Sequence, residues 1–424
     1  MTRPVAASER IEILDALRGL AIFGILMVNL PLMHRPMTAV LINPGWGDGL
    51  LESAAEAFVR IFFEGKFYVL FSALFGYGFH LFLNKPSGSP EENLRLFKRR
   101  LFFLLLFGVA HILLLWPGDI LVMYALFGFL LLLFRNSSAR RQLIWAAIFI
   151  SLPILITLLS YGMLWLGSMM PESAEAIERS MSESAAEMQA LYDGAARAYS
   201  SGSYREGIYW RWQEYLALLP GIVFFYPTVI GVFILGKLMA QKKLLSEAHA
   251  QLPFWRKALR LGLGIGMPFS LFYAYAMHQA PPGDQGSGWY LLGTTSHIVG
   301  GITLCLAYVA ALVLYFQRSA AHFWRRHMAA VGRMALSNYI LHSLLAVLLF
   351  HGVGLGLYGK IEGWQSILLA IAIFTAQIPL STWWLSRFRF GPLEWLWRTL
   401  TYGRLQSMSR SEKAGKAQEP GSTK

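Results

Sequence analysis

Cysteine occurs once in the 424 residues, at Cys305. A single thiol excludes a disulfide within the chain and any cysteine-built metal centre; inside an apolar run it reads as a small buried residue. Charge is scarce as well. Asp, Glu, Lys and Arg make up 14% of the chain, against about 25% in soluble domains. With a mean hydropathy of +0.46, too little polar surface remains to cover the two or three soluble cores that length alone suggests at roughly 150 residues each. Intrinsic disorder, a disulfide-rich secreted fold and a soluble nucleic-acid binder are excluded, although a net charge of +13 and a pI of 9.8 point first to the last. Gly-x-Ser-x-Gly and His-Glu-x-x-His are also missing, and with them the usual signatures of serine-hydrolase and zinc-protease chemistry.

What is abundant is apolar sequence, 55% of the chain, in recurrent runs near the ~20 residues that span a bilayer. Ten spans are expected, at about 16–35, 66–84, 101–116, 119–134, 142–167, 216–236, 258–279, 289–316, 329–352 and 364–385. The shorter ones serve if they pack against neighbours. Assigning the connecting segments alternately to two sides puts 29 of the 37 basic residues and 9 acidic ones on one side. The other side keeps 8 basic and 15 acidic residues. The positive-inside rule makes the basic side cytoplasmic. The fold class expected is therefore all-α, a polytopic bundle of about ten transmembrane helices with both termini cytoplasmic. Arg10–Met33 does not read as a cleavable signal, because its apolar stretch is long and lacks a small-residue cleavage site. Clusters such as Lys98-Arg99-Arg100 and Arg140-Arg141 anchor helices at anionic headgroups or attract an anionic cytoplasmic ligand.

The organisation follows from these spans: an N-terminal membrane bundle over 1–168, an extracytoplasmic helical loop over 169–214, a C-terminal membrane bundle over 215–406 and a disordered polar tail over 407–424. In the loop, Glu175, Glu178, Glu183 and Glu187 alternate with small apolar residues at helical spacing, giving one helix or two, as a lid or a solvated connector. Two glycine motifs are decoys. Gly231 to Lys237 resembles a phosphate-binding loop but has Leu238 where magnesium needs Ser or Thr. Gly262, Gly264 and Gly266 read as close helix packing rather than a dinucleotide fingerprint.

Ionisable groups within spans are costly and so are functional candidates. Asp15 and Arg18 share a helix face and read as a pair. Asn29 follows Arg18 by eleven residues, about three turns or ~16 Å, so one polar stripe runs along the first span. His111 and Asp119 flank the turn at Trp116-Pro117-Gly118. A carboxylate there orients an imidazole as general base, or the two simply cap a hairpin. Glu64 and Lys66 form a candidate charge pair, while His297, Arg333, Asn338 and His342 read as polar-cavity or interhelical hydrogen-bonding groups. His80, His278 and His351 are isolated and read as structural or interfacial.

Several stretches taken together resemble the YeiB family of bacterial inner-membrane proteins, also known as domain of unknown function 418. They are Asp15-Ala-Leu-Arg-Gly-Leu-Ala, Gly24-Ile-Leu-Met-Val-Asn29, Asn43-Pro-Gly-Trp46 and Glu64-Gly-Lys-Phe, then His111 with Gly118-Asp-Ile-Leu, Gly332-Arg-Met-Ala-Leu-Ser-Asn-Tyr and Gly391-Pro-Leu-Glu-Trp-Leu-Trp-Arg. The resemblance covers roughly residues 10–406 and implies a bacterial inner-membrane location. That family is distantly similar to transmembrane acyltransferases, which pass an acyl group from cytoplasmic acyl-CoA to an acceptor on the far side. The bacterial O-acyltransferases carry Arg and, eleven residues on, His in the first span; here the spacing ends in Asn29, as in the heparan glucosaminide acetyltransferase type. That type has a catalytic His just before a Trp, where this chain reads Asn43-Pro-Gly-Trp46, so the chain departs from the pattern there.

The leading expectation is an acyltransferase. Arg18 with Asp15, and Arg99 with Arg100, would hold acyl-CoA; His111 with Asp119 would act as base; Asn29 and Asn43 would orient the carbonyl oxygen. No permanent cofactor or metal is expected, and acyl-CoA would be the donor substrate. The partners are the lipid bilayer and a small-molecule or glycan acceptor, not nucleic acid, with a homodimer left open. The competing expectation is a transporter or flippase for a small amphipathic solute or lipid-linked precursor, using the same stripe. A signalling or scaffold role stands third.

Overall fold

Apolar segments of this length satisfy their backbone polar groups internally as helices, and helices account for the architecture. The computed structural model describes residues 11–42, 45–281, 286–318 and 321–410, and only the backbone of Val223 and Phe225. The helices of the first half are α1 (Glu12–Met33), α2 (Ala39–Ile42), α3 (Leu50–Phe62), α4 (Phe67–Leu83), α5 (Pro90–Leu114), α6 (Leu121–Leu131), α7 (Ala139–Ser168) and α8 (Pro171–Ser201). Those of the second half are α9 (Tyr204–Phe225), α10 (Pro227–Gln241), α11 (Leu252–Gln279), α12 (Gly288–Phe316), α13 (His322–Arg333), α14 (Ala335–Phe350), α15 (Gly363–Arg387) and α16 (Pro392–Tyr402). Among the described residues there is no strand, only an isolated antiparallel bridge between Phe388 and Ser409.

Among the described residues four helices are long and apolar enough to cross a membrane: α1, α7, α12 and α15. Two bent pairs, Tyr204–Ile222 with Pro227–Gln241 and His322–Arg333 with Ala335–Phe350, raise the number to six if each is one broken span. The remaining apolar runs of the sequence are also helical. There α4 has 17 residues and α6 has 11, while α5 and α11 carry basic residues in their N-terminal halves, Arg95 to Arg100 and Arg256 to Arg260. The stretch from 169 to 214 forms two helices, α8 and the start of α9. The four glutamates Glu175, Glu178, Glu183 and Glu187 are exposed, and the end of α8 is buried through Ala195, Ala198 and Tyr199.

Glycines set how closely the helices cross. In α11 a Cβ at Gly262 would lie 2.7 Å from the Thr303 carbonyl oxygen, and one at Gly266 would lie 2.5 Å from the Leu304 nitrogen of α12. Gly264, between them, faces open space, as a packing face with helical period requires. Gly236 lies against the Ala73 carbonyl of α4, and Gly231 against Ala146 of α7. Both glycine motifs therefore serve helix contact. Cys305 is buried.

Several helix starts are closed by carboxylates from distant segments. Glu52 accepts the Gly363 N–H at the start of α15, at 2.9 Å. Burial pushes the Glu52 carboxyl above the ordinary carboxylate range, opposed by that hydrogen bond. Between α13 and α14 the chain turns by 72° at Met334, and Glu394 of α16 accepts the Leu336 N–H at 2.7 Å, the Ser337 N–H at 3.1 Å and the Ser337 hydroxyl at 2.5 Å. Residues 407–410 return alongside 387–389 through the Arg389 N–H to the Met408 carbonyl; the rest of the expected tail, 411–424, lies outside the described residues.

Candidate functional site

A cavity of about 500 Å³ opens near the C-terminal end of α1, within the range of small-molecule sites. Its wall takes Val28, Asn29 and Leu32 from α1, Glu56 and Arg60 from α3, Tyr68 from α4, Tyr273 and Met277 from α11, and His297 from α12. Trp116, Pro117, Gly118 and Asp119 close it on the side of the turn between α5 and α6, and Tyr339 of α14 completes it. The lining is mostly aromatic and aliphatic; Arg35, Glu64 and Asp119 reach it from turns, while Asn29, Glu56, Tyr273 and His297 reach it from within helices.

Several of those polar groups are held by neighbours. Glu64 accepts the Tyr273 hydroxyl at 2.7 Å, and Arg60 pairs with Glu56 at 2.8 Å. Arg35 donates to the Gly45 carbonyl at 3.0 Å. His297 lies between Tyr68 and Tyr273, with ring centroids at 6.5 and 4.8 Å. Gly65 has φ +85°, and a Cβ there would meet His297 Cε1 at 2.8 Å. Its lack of a side chain is thus needed twice. Gly65→Ala is expected to cost about 1–2 kcal/mol for the left-handed backbone alone and to displace His297, read as a lowered melting temperature of the detergent-solubilised protein. An unchanged melt would show that this turn relaxes freely.

Behind the cavity wall lies a buried trio. His111 Nδ1 is 2.8 Å from Asp119 Oδ1, and His111 Nε2 is 2.8 Å from the Ser343 hydroxyl oxygen. Asp119 Oδ2 also accepts the Val122 N–H at 2.7 Å, at the start of α6. Gly108 of α5 allows this approach, since a Cβ there would lie 2.6 Å from the Val122 nitrogen. Asp119 and Tyr339 line the cavity; the Tyr339 ring is 5.1 Å from that of His111.

The other sequence candidates are distributed unequally. Asn29, Asp119, Glu64 and His297 meet in the one cavity. Lys66 is close by, but its Nζ donates to the Arg60 carbonyl at 2.8 Å rather than pairing with Glu64. Asn338 bonds the Val331 carbonyl and the Ser381 hydroxyl, and His342 bonds Gln377 at 2.8 Å. They form a polar seam with α15, away from the cavity. Asp15 and Arg18 pair at 2.7 Å at the opposite end of α1. There a Cβ on Gly332, next to Arg333, would overlap the Asp15 carbonyl oxygen and lie 2.7 Å from the Gly19 nitrogen. Arg100 stacks 3.6 Å over the Trp397 ring, whose indole N–H donates to the Arg100 carbonyl at 2.9 Å; Arg18 and Arg398 lie within electrostatic reach of it. Arg99 stands over Phe103 at 5.7 Å. Asn43 lies outside the described residues. His34 is buried against Phe350 with ring centroids 5.7 Å apart and does not line the cavity.

Two functional-looking groups escaped the sequence reading, Ser343 and Glu394. A serine in an apolar run is uninformative, and Glu394 carried only its place in Gly391-Pro-Leu-Glu. Among the described residues no group of three or more His, Cys, Asp or Glu is placed to hold a metal ion.

The family described as a protein of unknown function, DUF418, matches residues 239–404. Uncharacterized protein YxaH of Bacillus subtilis (strain 168) is 31% identical over 427 residues, spanning 97% of this chain and 99% of that protein. Uncharacterized protein YeiB of Escherichia coli (strain K12) is 28% identical over 410 residues, spanning 93% of this chain and 96% of its own. No solved structure matches.

Proposed function

The chain belongs to the DUF418 family together with YxaH and YeiB, and from the arrangement of its first helix and cavity we propose that it is a transmembrane acyltransferase of the bacterial inner membrane. In this reading ten spans place both termini in the cytoplasm. An acyl group passes from cytoplasmic acyl-CoA to a small-molecule or glycan acceptor on the outer side. The observation that supports it is the arrangement along α1: the Asp15–Arg18 pair at one end, and at the other a cavity that holds Asn29 and, through Asp119, touches a hydrogen-bonded His111. Arg18, Arg99 and Arg100 would attract the phosphates of CoA at the basic face. Asn29 would donate to the developing oxyanion, and Glu64 and His297 would meet the acceptor. Lys66, Arg333 and Asn338 would position helices around that path rather than touch substrate.

A direct binding measurement tests the reading. Purified full-length protein in detergent is expected to bind acetyl-CoA or palmitoyl-CoA, and Arg18→Ala to weaken that binding by about tenfold or more, from the loss of one charge-assisted contact. If neither thioester binds, and His111→Ala leaves cellular function intact, the proposal fails. A transporter or flippase is the second reading, favoured by the 72° break between α13 and α14, since broken spans line many transport paths. It predicts solute counterflow in proteoliposomes without any acyl-CoA.

A further inference from the structure

Resting on the acyl-transfer reading, we propose that Ser343 is an acyl-carrying nucleophile, so that transfer runs through an ester on its hydroxyl. The argument starts from the two nitrogens of His111. A carboxylate only accepts hydrogen bonds, so Asp119 fixes the proton on Nδ1. Nε2 then carries the lone pair, and Ser343 donates its hydroxyl proton to it. The base that would serve an external acceptor is thus already bonded to a hydroxyl of the chain itself.

That hydroxyl is unusual for a helix in an apolar setting. Serine and threonine there commonly turn back to the carbonyl one turn earlier. Thr157 does so to Pro153, Thr303 to Val299 and Thr382 to Ile378, at 2.8, 2.6 and 2.9 Å. Ser343 instead reaches another helix, to a residue 232 positions away. Asp119 is further held by the Val122 N–H, which fixes the carboxylate before any substrate arrives. Tyr339, one turn before Ser343 on α14, lines the cavity and touches the His111 ring. Asp119 and Tyr339 thus bring the trio up to the cavity wall.

The chemistry balances without further reagents. Ser343 Oγ attacks the thioester carbonyl carbon while its proton passes to His111 Nε2. The tetrahedral species collapses, the carbon–sulfur bond breaks, and the CoA thiolate takes the proton from Nε2. In the second half the acceptor hydroxyl attacks the serine ester and gives its proton to Nε2. The carbon–oxygen bond to Ser343 breaks, and Oγ recovers the proton. Asp119 keeps the hydrogen bond from Nδ1 throughout and steadies the imidazolium.

The test uses the full-length protein in detergent with two acyl donors, acetyl-CoA and the small apolar ester p-nitrophenyl acetate. After digestion, peptide masses locate the acetyl group. The expected result is one acetyl group on Ser343, with a stoichiometric burst of p-nitrophenolate, and at least about a hundredfold slower acylation in His111→Gln. Ser343→Ala should lose the adduct, and Ser343→Cys should carry it as a hydroxylamine-labile thioester. An unmodified Ser343 in the wild-type protein under both donors overturns the proposal, whether or not the alanine variant folds. Acetyl-CoA turnover that persists in Ser343→Ala overturns the covalent relay and leaves acyl transfer standing. Acylation of Ser343 by the phenyl ester with no binding of acetyl-CoA supports the activated serine and removes acyl-CoA as donor.

Discussion

Gly332→Ala is expected to deplete the folded protein, while Gly264→Ala leaves it intact. At the crossing of α1 and α13, a Cβ on Gly332 would overlap the Asp15 carbonyl oxygen and lie 2.9 Å from Arg18 Cβ. A Cβ on Gly19 would in turn overlap the Met328 carbonyl oxygen. The obstructing atoms are backbone or the Arg18 Cβ, so no rotamer change relieves them, and the helices must separate. Overpacking of this kind costs about 3 kcal/mol or more, a large share of a marginal stability. The same separation would disturb Arg18 and Arg333, which flank the contact. Gly264 has nothing within 4 Å of its Cβ position, and alanine there should gain about 0.5–1 kcal/mol through reduced unfolded-state freedom. Membrane abundance and detergent melting temperature read both variants together. Equal melting of Gly332→Ala and wild type would mean that the crossing is looser than described.

Glu394→Ala is expected to cost about 2–3 kcal/mol, the amount for removing the acceptor of charge-assisted hydrogen bonds at a half-buried helix start. Its carboxylate closes the N-terminus of α14 through two backbone N–H groups and one hydroxyl. At a helix start a negative charge also meets the positive end of the macrodipole. Ser337 returns the favour by accepting the Leu393 N–H at 3.0 Å, at the start of α16. Losing Glu394 therefore loosens the 72° turn and the docking of α16 at once. Glu394→Gln keeps one acceptor oxygen but cannot accept the Ser337 hydroxyl through nitrogen, so about half of the loss should return. Thermal unfolding in detergent separates the two variants; a glutamine variant as unstable as alanine would shift the explanation from geometry to charge.

The parts of the site legible in the sequence are those held together by local geometry. Asp15 and Arg18 are three residues apart on one helix, and they pair at 2.7 Å. His111 and Asp119 flank a short Trp-Pro-Gly turn, so the two helices it joins cannot place them far apart, and they meet at 2.8 Å. Lys66 shows where such reasoning stops. It stands two residues from Glu64, yet the turn at Gly65 sends its amine to the Arg60 carbonyl, while Glu64 is claimed by Tyr273 from a helix 209 positions away. Asn338 and His342 share a face as helical spacing requires, but that face meets Ser381 and Gln377 of α15, and the cavity lies elsewhere.

By itself the sequence determined that this chain is helical and built for a membrane. Scarce charge and long apolar runs leave the backbone no partner but itself, and helices satisfy that demand segment by segment. It also determined the pairs that one helix or one turn brings together. Only the tertiary structure decided which distant groups share a site. It set Ser343 on His111 across 232 positions, Glu394 on the start of α14, and Asn29, Glu64, Asp119 and His297 around one cavity. The reason is physical: in an apolar bundle many helix faces are chemically alike, and which face meets which is settled by glycine-sized close approaches and by buried polar groups that must find partners.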